Sequence, residues 1–103
     1  MKLTVVYDAA ADAELQRAVI RYEGERNLLG QEFLLPVIAA ANKAAEQPQR
    51  FMVVKRSGEL IARRALVKRF PYALVFMVSR NELRILAVAH SHRRPEYWRR
   101  RLS

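Results

Sequence analysis

The sequence predicts an α+β domain in which an N-terminal helical hairpin packs on a mainly antiparallel, twisted sheet of three to five strands. Three observations predict it. A short β-branched and aromatic segment opens the chain at residues 3–7, and apolar residues then recur with the helical period as far as Glu46. From Phe51 onwards the period moves towards two, as in strands. The 103 residues suffice for one hydrophobic core, so we expect a single domain spanning residues 1–103.

The first helix is predicted to begin after Asp8, whose carboxylate suits an N-cap, and to end near Asn27. Its apolar stripe follows from helical spacing and comprises Leu15, Ala18, Val19 and Tyr22. The wetter side is expected to carry Glu14, Arg17, Arg21 and Glu25.

The second helix is predicted to follow a short connection at residues 28–30 and to end near Glu46. Its apolar positions are Phe33, Val37, Ala40, Ala41 and Ala44. So short a connection implies an antiparallel hairpin. Because proline removes a backbone hydrogen bond, Pro36 leaves two alternatives, a kink at that point or a helix that starts later than Gly30 suggests.

The second half reads as strands. Residues 51–55 are expected to be extended, residues 56–59 form a turn, and residues 61–69 form the next strand. Alternation in that strand places Arg64, Leu66 and Lys68 on one side and Ala65, Val67 and Arg69 on the other.

A hydrophobic run at residues 72–78 is typical of a central strand, and residues 79–81 form a hairpin turn to a last strand. There Leu83, Ile85 and Ala87 are expected to face away from Arg84, Leu86 and Val88. Packing both helices on one sheet face would leave the other face available for a partner.

The positive charge is concentrated in the second half of the chain. Residues 1–49 contain 5 Lys and Arg against 7 Asp and Glu, whereas residues 50–103 contain 14 against 3. This basic half attracts a phosphate backbone or an acidic protein, or else it is a solvated surface that favours solubility. An excess of this size favours an anionic partner.

Several classes of protein lose support from what the sequence lacks. Without cysteine it has no disulfide, thiol nucleophile or cysteine metal site, and no apolar run approaches the roughly 20 residues of a membrane span. Paired carboxylates, a glycine-rich phosphate loop and a Ser/His/Asp arrangement are also missing. We therefore expect a cytoplasmic protein with no cofactor, no metal and no membrane partner.

Four segments carry a resemblance to a known family. Residues 64–76 contain an Arg-Phe-Pro-Tyr entry to a hydrophobic strand, residues 83–90 end in Ala-Val-Ala-His, and residues 93–98 read Arg-Arg-Pro-Glu-Tyr-Trp. Together with the helical hairpin at residues 9–46, these segments resemble the RelE/ParE toxin superfamily over nearly the whole chain. The segment 51–60 and Pro36 depart from its pattern.

The resemblance implies the toxin of a bacterial type II toxin–antitoxin module, neutralised by a cognate antitoxin that we expect to be acidic. The strand and tail motifs are closer to the ParE-like, plasmid-stabilisation branch, whose members inhibit DNA gyrase. The alternative is a RelE-like endoribonuclease that cuts mRNA on the ribosome. A third possibility is a basic nucleic-acid-binding domain without toxicity.

Candidate site residues follow from residue type. If the chain cleaves RNA, His90, Tyr97 and Arg84 are the catalytic candidates, because the reaction needs proton transfer and a cation on the phosphorane. Candidates for binding a target or phosphate are Arg64, Arg69, Arg93, Arg94 and Trp98. The alternatives are that His90 only caps the hairpin and that the aromatic residues fold back on the sheet. The terminal Arg99, Arg100 and Arg101 are expected to be flexible.

Overall fold

The computed structural model describes residues 2–103, and it has the predicted α+β architecture. The elements are β1 Thr4–Tyr7, α1 Ala9–Glu25, α2 Leu29–Glu46, β2 Met52–Ser57, β3 Leu60–Leu66, β4 Tyr72–Ser79 and β5 Glu82–His90, with short 3₁₀ turns at Pro48–Arg50 and Arg99–Arg101. The five strands form one sheet in the order β1-β5-β4-β3-β2. Only β1 pairs in parallel, with β5, and the sheet is otherwise antiparallel.

The helical hairpin packs across one face of the sheet, as predicted. The stripe of α1 buries Leu15, Ala18 and Tyr22, and that of α2 buries Phe33 and Val37. At one end of this core, four aromatic rings pack with centroids 5.0 to 6.2 Å apart. These rings belong to Tyr22, Phe33, Phe70 and Tyr72. Within the described chain, no helix is long and apolar enough to cross a membrane.

The start of α2 is fixed by a carboxylate of α1. The Glu23 side chain accepts hydrogen bonds from the backbone N–H groups of Leu28 at 2.9 Å and Gly30 at 3.0 Å. These donors belong to the first turn, where no intrahelical acceptor exists. The helix therefore begins at Leu29 and runs through Pro36, so the alternative of a later start is wrong.

Gly30 and Gly24 give a matched pair for testing how closely the two helices approach. A Cβ on Gly30 would lie 2.9 Å from the carbonyl oxygen of Val19, whereas one on Gly24 would meet nothing within 4 Å. Gly30→Ala should therefore destabilise the fold by about 1–3 kcal/mol, since α1 must shift. Gly24→Ala should stabilise it by about 0.5–1 kcal/mol. Urea denaturation measures both, and equal effects would contradict this close approach.

A bulge in β5 changes the alternation expected for that strand. Val75 pairs with Ala87 but Phe76 pairs with Ile85, so Leu86 has no partner in β4. As a result Ala87 packs on the face away from the helices, and Val88 returns to the helix side. The prediction that Ala87 shares a face with Leu83 was wrong, because a bulge inserts one residue and inverts the faces beyond it.

The expectation that the second sheet face lies open was also wrong in part. The C-terminal segment crosses that face and buries Trp98 and Leu102 against a second apolar cluster that includes Val75, Met77 and Leu86. Strand β3 ends at Leu66, three residues earlier than predicted. The chain then turns, with Arg69 at φ 73° in the left-handed region.

Candidate functional site

Six of the eight candidate residues line one hollow of about 340 Å³ on the sheet face away from the helices. We call it the tail hollow, because the segment after β5 forms one wall. Small and apolar residues from the strands, including Ala73, Val75 and Ala89, form its floor. The six candidates that line it are Arg64, His90, Arg93, Arg94, Tyr97 and Trp98.

The tail hollow owes its charge to arginines from two parts of the chain. Arg64 lies on β3, and Arg93 and Arg94 follow β5 directly. The guanidinium of Arg93 lies over the ring of Tyr97, 3.9 Å from its centroid, a cation–π arrangement that holds both side chains against the tail. At the edge of the hollow, Lys55 and Glu96 form an ion pair at 3.1 Å.

Trp98 forms part of the wall of the tail hollow and does not offer its ring face for base stacking. Its side chain is only 5% exposed and packs on the second apolar cluster. This agrees with the alternative in which the aromatic residues fold back on the sheet. A nucleic acid base cannot stack on a ring that is so deeply buried. The residues of the hollow that could contact an anionic ligand are therefore its arginines.

A second concavity, of about 440 Å³, lies on the helix side of His90, and we call it the helix cleft. Here α1 presents Arg17 and Arg21, and the segment after β5 presents His92 and Arg93. Arg21 also donates a hydrogen bond to the hydroxyl of Tyr72 at 2.9 Å. His90 and Arg93 line both concavities, so the end of β5 and the residues after it form a ridge between them. Arg93 supplies its positive charge, and we call it the cationic ridge.

His90 is held in a geometry that does not suit it to act as a base. Its Nδ1 accepts a hydrogen bond from the backbone N–H of His92 at 3.0 Å, and its ring packs edge-on against Tyr72. Burial, the neighbouring His92 and Arg21 lower the pKa of His90, so the neutral form dominates near pH 7. A neutral imidazole with an accepting Nδ1 carries its proton on Nε2, which leaves no free lone pair for a base.

Beneath the ridge, Glu14 holds the end of β5 and the tail together. Strand β1 pairs with β5 only as far as Ile85, so this edge of β5 has no strand partner beyond that point in the part of the chain that the structure describes. Glu14 accepts the Val88 backbone N–H at 3.0 Å, and Arg101 donates to the Leu86 carbonyl at 2.9 Å. The two side chains also form an ion pair at 3.0 Å. Together they replace the missing strand at this edge.

Tyr97 is part of the same network. Its hydroxyl donates to the second oxygen of Glu14 at 2.8 Å. Burial, first, and then the hydrogen bond and negative charge of Glu14 raise the pKa of Tyr97 well above its usual value. The phenol therefore stays protonated and becomes a weaker acid than an exposed tyrosine.

Arg84 and Arg69 lie outside both concavities. Arg84 sits six positions before His90 on β5, roughly 20 Å away along an extended strand. It pairs with Asp8 at 2.8 Å, and the hydrogen bond that the guanidinium donates to Asp8 raises the pKa of Arg84. Asp8 therefore makes this interstrand ion pair and no side-chain cap on α1, contrary to the predicted role. Arg69 pairs with Glu32 at 3.3 Å.

Glu14, Arg17 and Arg21 line the helix cleft, but they were predicted only as solvent-facing residues of α1 and not as site residues. Glu14 is in fact 7% exposed. A signal for it was present, since Glu14 lies three positions after Ala11 and four before Ala18, on the buried stripe. The expected flexibility of the terminus was wrong for Arg101, whose guanidinium is held by Glu14 and the Leu86 carbonyl.

Comparisons with known proteins find similarity in the fold. No protein-family model matches the chain, and no curated protein matches it. A solved chain from the chromosomal ParDE TA system of P. aeruginosa superposes with a TM-score of 0.71. The match covers 86% of this chain and 96% of that one at 13% sequence identity. The chain therefore has a ParE-like α+β fold, the fold implied by its resemblance to the RelE/ParE superfamily.

Proposed function

We propose that this chain is the toxin of a type II toxin–antitoxin module and that it acts by binding DNA gyrase. The fold it shares with a chain of a ParDE system supports the module, as does the resemblance of its strand and tail motifs. A cognate acidic antitoxin would neutralise it. The basic half provides the charge that such a partner requires.

The hydrogen bonds of the three catalytic candidates favour an inhibitor over a nuclease. His90 has no free lone pair on Nδ1, Tyr97 is bound to Glu14, and Arg84 is bound to Asp8 at a distance from both. Cleavage of RNA needs a base, an acid and a cation around one phosphate. Inhibition needs only a complementary surface, and the cationic ridge between the two concavities is the surface we assign to the target.

A second candidate function is supported by the helix cleft. There His90 and His92 lie with ring centroids 5.1 Å apart, beside three arginines that could bind phosphate. If the bond from the His92 N–H to Nδ1 broke on substrate binding, the two imidazoles could exchange protons with RNA. This arrangement would make the chain a ribosome-dependent endoribonuclease.

Induction of the chain in a bacterial host without an antitoxin tests the proposal against both alternatives. We expect growth arrest with DNA-damage signalling and relaxed plasmids, because gyrase would be blocked. Rapid translation arrest with cleaved mRNA would contradict it and favour the nuclease. Unimpaired growth of cells that contain folded protein would identify a non-toxic basic domain instead.

A further inference from the structure

A groove between α2 and the end of β3 lies away from the helix cleft and shares only Arg64 with the tail hollow. Its volume is about 470 Å³. Strand β2 begins at Met52, which pairs with Arg64, so no β2 residue lies opposite Leu66. The sheet is therefore one strand narrower at this point, and residues of α2 line the other side of the gap. We call this concavity the α2–β3 groove.

The floor of the α2–β3 groove is aliphatic and exposed. Met52 is 61% exposed and Leu66 is 68% exposed, and Ala39 of α2 faces the same space. Single exposed apolar residues are ordinary, but several that line one concavity mark an interaction site. The ring of Phe51, which also lines the groove, packs against Phe76 with centroids 5.8 Å apart.

The rim of the groove is entirely cationic. Lys43 stands on the α2 side, Arg64 and Lys68 stand on the β3 side, and Arg50 closes one end. Among residues 2–103, no acidic residue lines the groove. A ligand that complements it has an apolar stripe bordered by carboxylates, which is the pattern of an amphipathic acidic helix. Nucleic acid fits less well, because it has no aliphatic side chains and the groove offers no free aromatic face.

We propose that the α2–β3 groove binds an acidic amphipathic helix of a partner protein, whose apolar residues pack on Met52 and Leu66 between the cations. This inference rests on the proposed function, because the antitoxin is the partner that would supply the helix. The groove would then leave the ridge at His90 as a distinct surface for the target.

The test uses a synthetic helical peptide of about 18 residues with a leucine stripe flanked by glutamates, added to the ¹⁵N-labelled full chain. We expect amide shifts confined to residues around the groove. Leu66→Glu should weaken binding at least about tenfold, because it removes apolar contact and repels the peptide. Ile20→Glu is the matched control, since Ile20 is 70% exposed on α1 outside the groove, and its binding should stay within about twofold of the parent.

Three results would overturn the inference. These are no binding of the peptide to the folded chain, shifts that centre on the helix cleft or on residues 90–98 of the tail hollow, and displacement of the peptide from the groove by a single-stranded oligonucleotide. A peptide with lysines in place of the glutamates should not bind. Growth arrest on induction is a separate readout, and Leu66→Glu should remain toxic. If the unsubstituted chain arrests growth but does not bind the peptide, the groove alone is contradicted, and if it binds the peptide but does not arrest growth, the proposed function alone is contradicted.

Discussion

Replacing Glu14 with alanine should lower the free energy of unfolding by about 3–5 kcal/mol, the range measured when one partner of a buried ion pair is removed. The substitution leaves the Val88 N–H, the Tyr97 hydroxyl and the Arg101 guanidinium without their acceptor. Each of these groups is at least partly shielded from water, so each keeps part of its desolvation cost. The tail should detach from β5 before the rest of the domain unfolds.

Urea denaturation of the purified chain measures this effect, and Glu25→Ala is the matched control. Glu25 lies on the same helix as Glu14 but is exposed, so its replacement should change stability by less than about 0.5 kcal/mol. Hydrogen exchange gives a second readout, since the Val88 amide should lose protection in Glu14→Ala. A loss below about 1 kcal/mol would contradict the view that Glu14 replaces a strand at this edge.

Replacing Trp98 with alanine should cost about 3–5 kcal/mol, the usual range for removing a large buried aromatic side chain. Trp98 is 5% exposed and, with Leu102, covers Val75, Met77 and Leu86 on the second sheet face. Without the indole, this apolar face becomes accessible to water. We expect a lower midpoint of thermal unfolding and increased binding of an apolar dye such as ANS.

The same substitution separates a structural role from a direct contact with nucleic acid. If Trp98 only anchors the tail, the folded fraction of Trp98→Ala should bind an anionic partner as tightly as the unsubstituted chain does. Any loss of binding should then match the fraction of the variant that is unfolded. Arg94→Ala is the control, because Arg94 is exposed in the tail hollow and should leave stability nearly unchanged. If Trp98→Ala kept its stability but lost oligonucleotide binding, that result would contradict the anchoring role of Trp98.

The fold was largely predictable because its signals are local. Helical spacing identified the buried faces of α1 and α2, and alternation with turn residues identified the β4–β5 hairpin. The bulge at Leu86 was not predictable, since an extra residue in a strand leaves no mark in an apolar run. The parallel pairing of β1 with β5 joins the two ends of the sequence, and no local pattern specifies it.

The site was predicted less completely than the fold. Motif residues from the tail do gather at one hollow, but residue type alone did not reveal how they are bonded. Tyr97 and Arg101 meet Glu14 from more than 80 positions away along the chain, so their ion pair and hydrogen bonds depend on tertiary structure. The exposed Met52 and Leu66 likewise looked like ordinary strand residues, because the gap beside them exists only once β2 has paired with β3.

We propose that the chain inhibits gyrase through its surface, without acid–base catalysis. Supercoiling of relaxed plasmid by purified gyrase, with the chain or its His90→Ala variant added, tests it most directly. Because the charge of the ridge comes from Arg93 rather than from the neutral His90, and no proton transfer is involved, both proteins should inhibit supercoiling at similar concentrations, within about threefold, while ribosome-bound mRNA stays intact. If neither protein inhibits gyrase, and the parent chain cuts mRNA on ribosomes at a rate that His90→Ala lowers about 100-fold or more, the account is contradicted.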